Sequence, residues 1–568
     1  MDAQRRVVLA SRRLRCKTPR VHLLAAAVVL ALATPAAATE PWSDADPAAP
    51  PERIVLSPGS HVGFRGAAEY RSQLVSVTPL DLASTQDADY EVIEQRLRLD
   101  GTVDYDDKVR ITTSVDALNG VLWGDNGTRG TDPEPTSGAA VATNNPNVAT
   151  SCITLRPGAV PTNASSYHMG LCPGDAVTMR RLYGDLMTPV GLLRIGRQPF
   201  TEGASIAVND GDGRRNRFGV SGIGNSADRV LFATKPLEAL RPRDERDPSL
   251  ARGMFLILAY DRLVTGEPMD LGQNLHDWIT AMRWLVPKFR GGGDFEARLF
   301  HAYRWSDANN TSVSAFGGRL MSRVGEVSAG VETTAIVGST SEISEAFHVI
   351  NDDPVVSQPI RQLGARGVVR WDRPLYSLYF ETDYASGSSD PSTRAPLTQF
   401  RFAEDTNVGL IMFKRALAYQ SGRAAAAGVA LLQQLGATSF PVESIDTRGS
   451  FTNAVALFPQ MDVRPLPRLL LRGGVLVAWS PAKVIDPIAS LQRRGNVPSS
   501  ELLVNYVGGS ADNRYYGTEL DGRIQYRMFD HFEADLEGAV LFPGGALADV
   551  NGDAVRSFLV QARGTFFL

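Results

Sequence analysis

Along most of the chain, apolar and polar side chains take turns. In the segment Arg514–Arg527, Leu520, Gly522, Ile524 and Tyr526 share one side, and Glu519, Asp521, Arg523, Gln525 and Arg527 share the other. After only Met528–His531 the pattern returns: Phe532, Ala534, Leu536, Val540 and Phe542 oppose Glu533, Asp535 and Glu537. Near the start, Ile93, Leu97 and Leu99 oppose Glu94, Arg96, Arg98 and Asp100. Beyond the turn Asp104-Tyr105-Asp106-Asp107, Val109, Ile111, Val115 and Ala117 oppose Lys108, Arg110, Thr112, Ser114 and Asp116. Successive side chains leave a strand on opposite faces, so a period of two predicts strands with one apolar and one polar face. Short polar turns between such runs predict antiparallel neighbours.

The alternation predicts 18 strands, near 62–75, 90–101, 108–120, 176–187, 191–199, 227–236, 252–263, 275–287, 294–305, 313–322, 325–337, 363–372, 375–386, 450–461, 466–479, 514–527, 531–543 and 556–568. Their connections alternate in length. Short ones are Asp104–Asp107, Thr188–Val190, Arg290–Gly293, Arg323–Val324, Asp372–Pro374, Asp462–Pro465 and Met528–Asp530. Long ones are 121–175, 200–226, 338–362, 387–449 and 480–513, and 237–251 is rather long for its side. A soluble sandwich would not sort its loops this way. Short periplasmic turns and long external loops belong to outer-membrane barrels. The expected fold class is therefore all-β: a transmembrane antiparallel up-and-down β-barrel of about 18 strands with long external loops. The final strand, Ser557–Leu568, alternates to its last residue and is expected to pair with the first strand, because an open edge in lipid leaves backbone groups unsatisfied.

The first 38 residues read as an export signal. Arg5, Arg6, Arg12, Arg13, Arg15, Lys17 and Arg20 precede an apolar core, Val21–Ala33, and Ala36-Ala37-Ala38 offers a cleavage site. The general secretory route is expected, because a barrel crosses the inner membrane unfolded. The division is then 1–38 signal peptide, 39–61 periplasmic linker and 62–568 barrel. Residues 1–38 carry seven of the 58 basic side chains and one of the 62 acids, leaving 51 and 61, a net of about −10. This balance excludes nucleic acid as a partner. Beyond the signal no apolar run approaches the length of a membrane-spanning helix. Cys152 and Cys172, in one polar stretch, are a disulfide candidate in an oxidising compartment. Asn407–Leu435 is rich in Ala and Leu and predicts a helix that caps the surface or the lumen.

Three segments resemble the alginate-export-type outer-membrane porins. They are Gly191-Leu192-Leu193-Arg194-Ile195-Gly196-Arg197-Gln198, the loop and helix Glu404–Ala418, and the hairpin Tyr516–Leu547 with its Pro-Gly exit. The resemblance implies an 18-stranded export barrel or an uncharacterised relative of one. It departs from a polyuronate exporter in charge, because the inward rows mix signs.

A ring of this size leaves an aqueous channel unless loops fill it, and charged rows in the lumen set which solutes enter. The basic candidates are Arg96, Arg98, Arg110, Arg523, Arg527 and Arg563; the acidic ones are Glu94, Asp116, Glu381, Asp383, Glu519, Asp521, Glu533 and Asp535. Loops 121–175 and 387–449 are long enough to fold inward and form the constriction. The run Asn209-Asp210-Gly211-Asp212-Gly213 resembles part of a calcium loop but lacks the later Glu, and reads as a turn. Six histidines, His61, His168, His276, His301, His348 and His531, are scattered beyond the signal, and neither a Gly-x-Ser-x-Gly elbow nor a His-Glu-x-x-His helix occurs. The chain is thus expected to be a porin without enzymatic activity, cofactor or metal, passing small hydrophilic solutes or exporting a polysaccharide. Its expected place is the outer membrane of a Gram-negative bacterium. Its expected partners are outer-membrane lipid, lipopolysaccharide and the barrel-assembly machinery. The alternatives are a barrel enzyme and a plugged structural or adhesion barrel.

Overall fold

Alternating segments become strands that follow one another around a closed ring. The computed structural model describes residues 54–55 and the chain from His61 onward, except 84–89, 107, 125–176, 200–203, 205, 210–215, 221–225, 243, 248–251, 266–275, 290–292, 307–309, 405, 438–440, 442–444, 495–502 and 530. The export segment, most of the linker, the Cys152 and Cys172 pair and residues 210–213 of the calcium-like run lie outside the described residues.

The strands are β1 Val62–Thr78, β2 Tyr90–Tyr105, β3 Val109–Gly124, β4 Val177–Thr188, β5 Gly191–Pro199, β6 Ser226–Thr234, β7 Gly253–Thr265, β8 His276–Phe289 and β9 Gly293–Ser306. They continue as β10 Thr311–Val324, β11 Val327–Thr340, β12 Gln358–Asp372, β13 Tyr376–Ala385, β14 Ala454–Leu466, β15 Leu469–Trp479, β16 Tyr515–Met528, β17 Phe532–Pro543 and β18 Ser557–Phe567. Each pairs antiparallel with its sequence neighbours, and β18 closes the ring on β1, with Phe566 opposite Tyr70 and Arg563 opposite Gln73. The last residue completes the seam: Leu568 N donates to Ala68 O (2.8 Å), and Ala68 N donates to Leu568 O (2.9 Å). A two-residue strand, Ile54–Val55, adds to β1 outside the ring count.

The two faces are inverted relative to a water-soluble protein. Outward Ile524 and Val560 are 47% and 55% exposed, whereas inward Asp462 and Glu519 are fully buried. Charged groups inside and bare aliphatic groups outside are stable only where the outside is hydrocarbon. Closure satisfies every strand's ladder, which an open sheet in lipid cannot do.

The hairpin turns mark one end of the barrel and the long connections the other. One turn differs from its expected place. Asp462–Pro465 does not turn: β14 runs on to Leu466, and Pro467-Arg468 makes the corner. Pro465 is accommodated because the β14–β15 pairing is irregular between Val463 and Leu466, where a proline forfeits no ladder bond. The long connection on the turn side, 235–252, opens with α1 (Pro236–Ala239). It folds on itself through Lys235 Nζ to Asp247 O (3.0 Å) and Arg246 Nη2 to Ala239 O (2.9 Å). At the opposite end lie α2 (Glu342–Asn351), α3 (Ala418–Gln434) and α4 (Pro487–Arg493). Among the described residues no helix is long and apolar enough to cross a membrane.

Candidate channel constriction

Two connections enter the ring. The first, 200–225, leaves β5 and returns to β6, yet its contacts lie across the lumen on β11 to β17. Ala204 N donates to Glu332 Oε2 of β11 (2.8 Å), and Ala204 O accepts from Arg366 Nη1 of β12 (3.2 Å). Arg217 is the principal anchor. Its Nε donates to Gln460 Oε1 (2.6 Å) and its Nη2 to Asp462 Oδ1 (2.8 Å), both on β14, and its guanidinium lies 3.9 Å from the Tyr379 ring centroid. Its carbonyl accepts from Arg472 Nη1 of β15 (2.5 Å) and Arg523 Nη1 of β16 (3.0 Å). Phe218 stacks on Phe458, and Gly219 N donates to Glu537 Oε1 of β17 (2.8 Å). Gly219 has φ +69°, and a Cβ there would lie 2.7 Å from Asn407 Nδ2, so two steric reasons demand glycine.

The second connection, 386–453, fills the loop end of the ring over β12 to β17. A π-helical turn, Met412–Leu417, leads into α3. Its opening N–H groups have no carbonyl partner of their own. Glu519 supplies one: its carboxylate accepts from Leu410 N (2.5 Å), Ile411 N (2.8 Å) and Met412 N (2.6 Å). Around this turn Phe402, Phe413, Phe451 and Tyr516 form an aromatic core with centroid separations of 4.8–5.5 Å. Arg415 reaches over the Tyr90 ring of β2, so the plug extends to the far side of the seam. The two connections also hold each other. Asn407 N donates to Asn216 Oδ1 (3.0 Å), Asn407 Nδ2 to Phe218 O (3.1 Å), and Asn209 Nδ2 to Thr406 Oγ1 (3.4 Å).

The expectation that 387–449 folds inward agrees with the structure. The described part of the other expected constriction, 121–175, is only the end of β3. The connection 200–225 was not singled out from the sequence, although it carries Arg217. Its segment has no periodic pattern, and an arginine in a loop carries no signal of a carboxylate nine strands away.

Inside the ring, charges meet as cross-strand pairs. Arg98 and Asp116 face each other, as do Arg194 and Asp185, Arg229 and Asp261, Arg366 and Asp383, and Arg472 and Asp462. Their guanidinium–carboxylate distances are 2.6–2.7 Å. Such charge-assisted bidentate pairs explain why the mixed-sign rows can be inward and dense. The sequence-derived candidates all point inward, but most are covered. Arg96, Arg98, Arg110, Asp116, Glu381, Asp383, Glu519, Asp521, Arg523, Asp535 and Arg563 are buried; Glu94 and Glu533 are half-buried, and Arg527 is exposed at the turn-side mouth. On β12 to β17 the cause is the two inserted connections. There, Glu519 and Arg523 hold loop backbone.

On the opposite wall Arg283 and Arg304 are part-exposed, while Arg319 and Glu296 are buried. Side-chain exposure is 23% for Arg283 and 26% for Arg304, against 4% for Arg366 and 1% for Arg472. On that wall Arg283 of β8 lies directly opposite Arg298 of β9, and Arg298 opposite Arg319 of β10. Glu296 accepts from both Arg283 (2.7 Å) and Arg319. Three guanidiniums share this belt with two carboxylates: Glu296, and Glu332 opposite Arg319, which also accepts from Ala204 N. The strand Gly293–Ser306 alternates as clearly as those chosen from the sequence, so this row was within reach of the same reading.

Comparison with known proteins adds the following. No protein-family model matches the chain, and no curated protein matches it. Among solved structures the chain is similar to OccAB1 of Acinetobacter baumannii (9% identity, 89% of this chain and 96% of that one, TM-score 0.46). It is also similar to OccK2 (OpdF) of Pseudomonas aeruginosa, solved in complex with glucuronate (10%, 89% and 96%, 0.43). A third is a BenF-like porin from Pseudomonas fluorescens Pf-5 (9%, 89% and 99%, 0.44). The alginate-export type suggested by three segments is not among these. Two of those segments are an alternating strand and a hairpin, and the third is a loop with its helix, pieces that barrels of this architecture build in general.

Burial gives the inserted connection a pH dependence. Asp446 lies in the plug and accepts from Arg448 N (2.8 Å). Desolvation pushes its carboxyl up to about 6, against the pull of that N–H and of the Arg448 and Arg401 charges. The unfolded value is about 3.9, so the packed loop holds a proton that the free loop releases. That contribution is complete below the unfolded value and is lost as pH rises through about 6. Limited proteolysis should therefore cut residues 445–450 more slowly at pH 5 than at pH 7.5, and Asp446→Asn should remove the difference.

Proposed function

We propose that the chain is a passive channel of the Gram-negative outer membrane for small hydrophilic solutes, with a preference for anions. The observation that carries the reading is the inward cross-strand row Arg283, Arg298 and Arg319, with Arg283 part-exposed and Arg319 buried, set beside a lumen narrowed from the other side by Arg217 and its loop. Like charges directly opposite on adjacent strands disfavour each other. Three guanidiniums against the two carboxylates Glu296 and Glu332 leave the belt net positive by one, and arginine rows of this kind favour anions in a pore. The cross-strand Arg–Asp pairs elsewhere in the ring would add no strong discrimination.

Passage of small solutes is favoured over polysaccharide export because two connections occupy the lumen and are tied to its far wall by buried hydrogen bonds. The outer face, apolar and exposed, supports lipid as the surrounding medium. Assembly machinery and the general secretory route follow from that placement.

Reconstitution in a planar bilayer tests the reading. In a salt gradient the wild-type channel should show a reversal potential of the anion-selective sign. Arg298→Ser together with Arg283→Ser should move it towards the cation-selective sign, with conductance retained. A wild-type protein that inserts but does not conduct would instead favour a plugged structural barrel.

A further inference from the structure

We infer that the outer surface of β5 to β8, at the long-loop end, is a binding site for the phosphorylated sugar headgroup of an outer-leaflet glycolipid. The inference rests on the outer-membrane reading above. Four neighbouring strands place a polar side chain on the lipid side in one cross-strand row. Arg197 of β5 is directly opposite Asp228 of β6, Asp228 is opposite Arg262 of β7, and Arg262 is opposite His276 of β8. All four point outward, because the residues beside them in sequence, Gln198, Ala227, Asp261 and Asp277, are the buried inward ones. Arg197 and Asp228 form a bidentate pair on the outer surface (Nε–Oδ1 3.0 Å, Nη2–Oδ2 3.2 Å).

An aromatic platform continues the row. His276 lies opposite Trp305 of β9 and stacks on it at 5.2 Å. Tyr260 Oη contacts His276 Nδ1 at 2.7 Å, and the Tyr260 ring lies 5.1 Å from Trp278. Indole and phenol rings collect at headgroup level, so the row sits at the membrane interface. Below it the outward residues are apolar: Ile195, Val230 and Leu258. An outward arginine is expensive at mid-membrane and nearly free at the interface, which fits this level and no deeper one. The row bears two guanidiniums, one carboxylate and an imidazole, a net positive strip. Guanidinium forks match phosphate oxygens bidentately, while the flat aromatic faces beside them suit sugar rings. The strip lies at the end opposite the hairpin turns, hence in the outer leaflet. Phosphate next to sugar at that level describes a phosphorylated glycolipid better than a glycerophospholipid.

The test uses the full-length protein purified in detergent, with bisphosphorylated lipid A as the probe and native mass spectrometry as the readout. R197Q/R262Q should weaken lipid A retention by about tenfold or more, the loss of two interfacial arginines. D228N, which removes the acid from the row, should strengthen retention, an effect that misfolding cannot imitate. Dephosphorylated lipid A and phosphatidylglycerol should compete poorly. Equal retention by wild type and R197Q/R262Q, or equal competition by phosphatidylglycerol, would overturn the site. So would an oligomer that dissociates in R197Q/R262Q with lipid retention unchanged, which would make the strip a contact between copies. Conductance of the same preparations separates the two readings. A conducting barrel indifferent to lipid A sinks only this site, whereas a protein that neither inserts nor conducts sinks the pore.

Discussion

Arg217→Ala widens the channel: single-channel conductance rises, open-channel noise increases, and the barrel still migrates as a folded species on unheated gels. The side chain donates to Gln460 and Asp462 and lies over Tyr379, all on the wall facing its own strands. Removing one partner of a buried ion pair can cost about 3–5 kcal/mol. Here the loss is smaller, because Asp462 keeps its pair with Arg472 (2.7 and 2.9 Å). The lost charged hydrogen bonds are worth about 1.5–3 kcal/mol, which shifts the docking equilibrium of the loop by roughly ten- to a hundredfold. The ring itself is unaffected, since its ladders do not involve residue 217. Unchanged conductance and noise would mean that another segment sets the narrowest cross-section.

Ile524→Arg and Gln525→Arg should have opposite consequences although they add the same charge to adjacent residues of β16. Ile524 faces outward between Leu471 and Leu536 on the flanking strands. An arginine there meets hydrocarbon, at about 2–4 kcal/mol near the midplane. Gln525 faces inward opposite Asp535, where an added guanidinium meets water and carboxylates. Folding into vesicles, followed by the heat-dependent shift in gel mobility, should fall sharply for Ile524→Arg and stay near wild type for Gln525→Arg. Equal folding yields would contradict the assignment of faces on which the membrane reading stands.

The inward and outward rows read from the alternation of Arg514–Arg527, Phe532–Phe542 and residues 93–117 are those of the structure. Each of those segments carries its own phase in neighbouring residues. The β14 corner was misplaced because Asp462 and Pro465 look like turn residues, whereas the pairing with β15 absorbs the proline and buries the aspartate against Arg217 and Arg472. The helix expected within Asn407–Leu435 is present, but its depth in the lumen follows from Glu519 capping Leu410–Met412, a contact across more than a hundred residues.

What the chain alone determined is what short range can encode: strands of period two, their two faces, turns of a few residues, and an even-numbered ring. The tertiary structure alone decided which connection crosses the lumen, which inward charges remain wetted and which vanish beneath a loop. The reason is distance. A strand's face is set by its immediate neighbours, but Arg217 finds Asp462 only after the ring has closed and brought opposite walls within reach of one side chain.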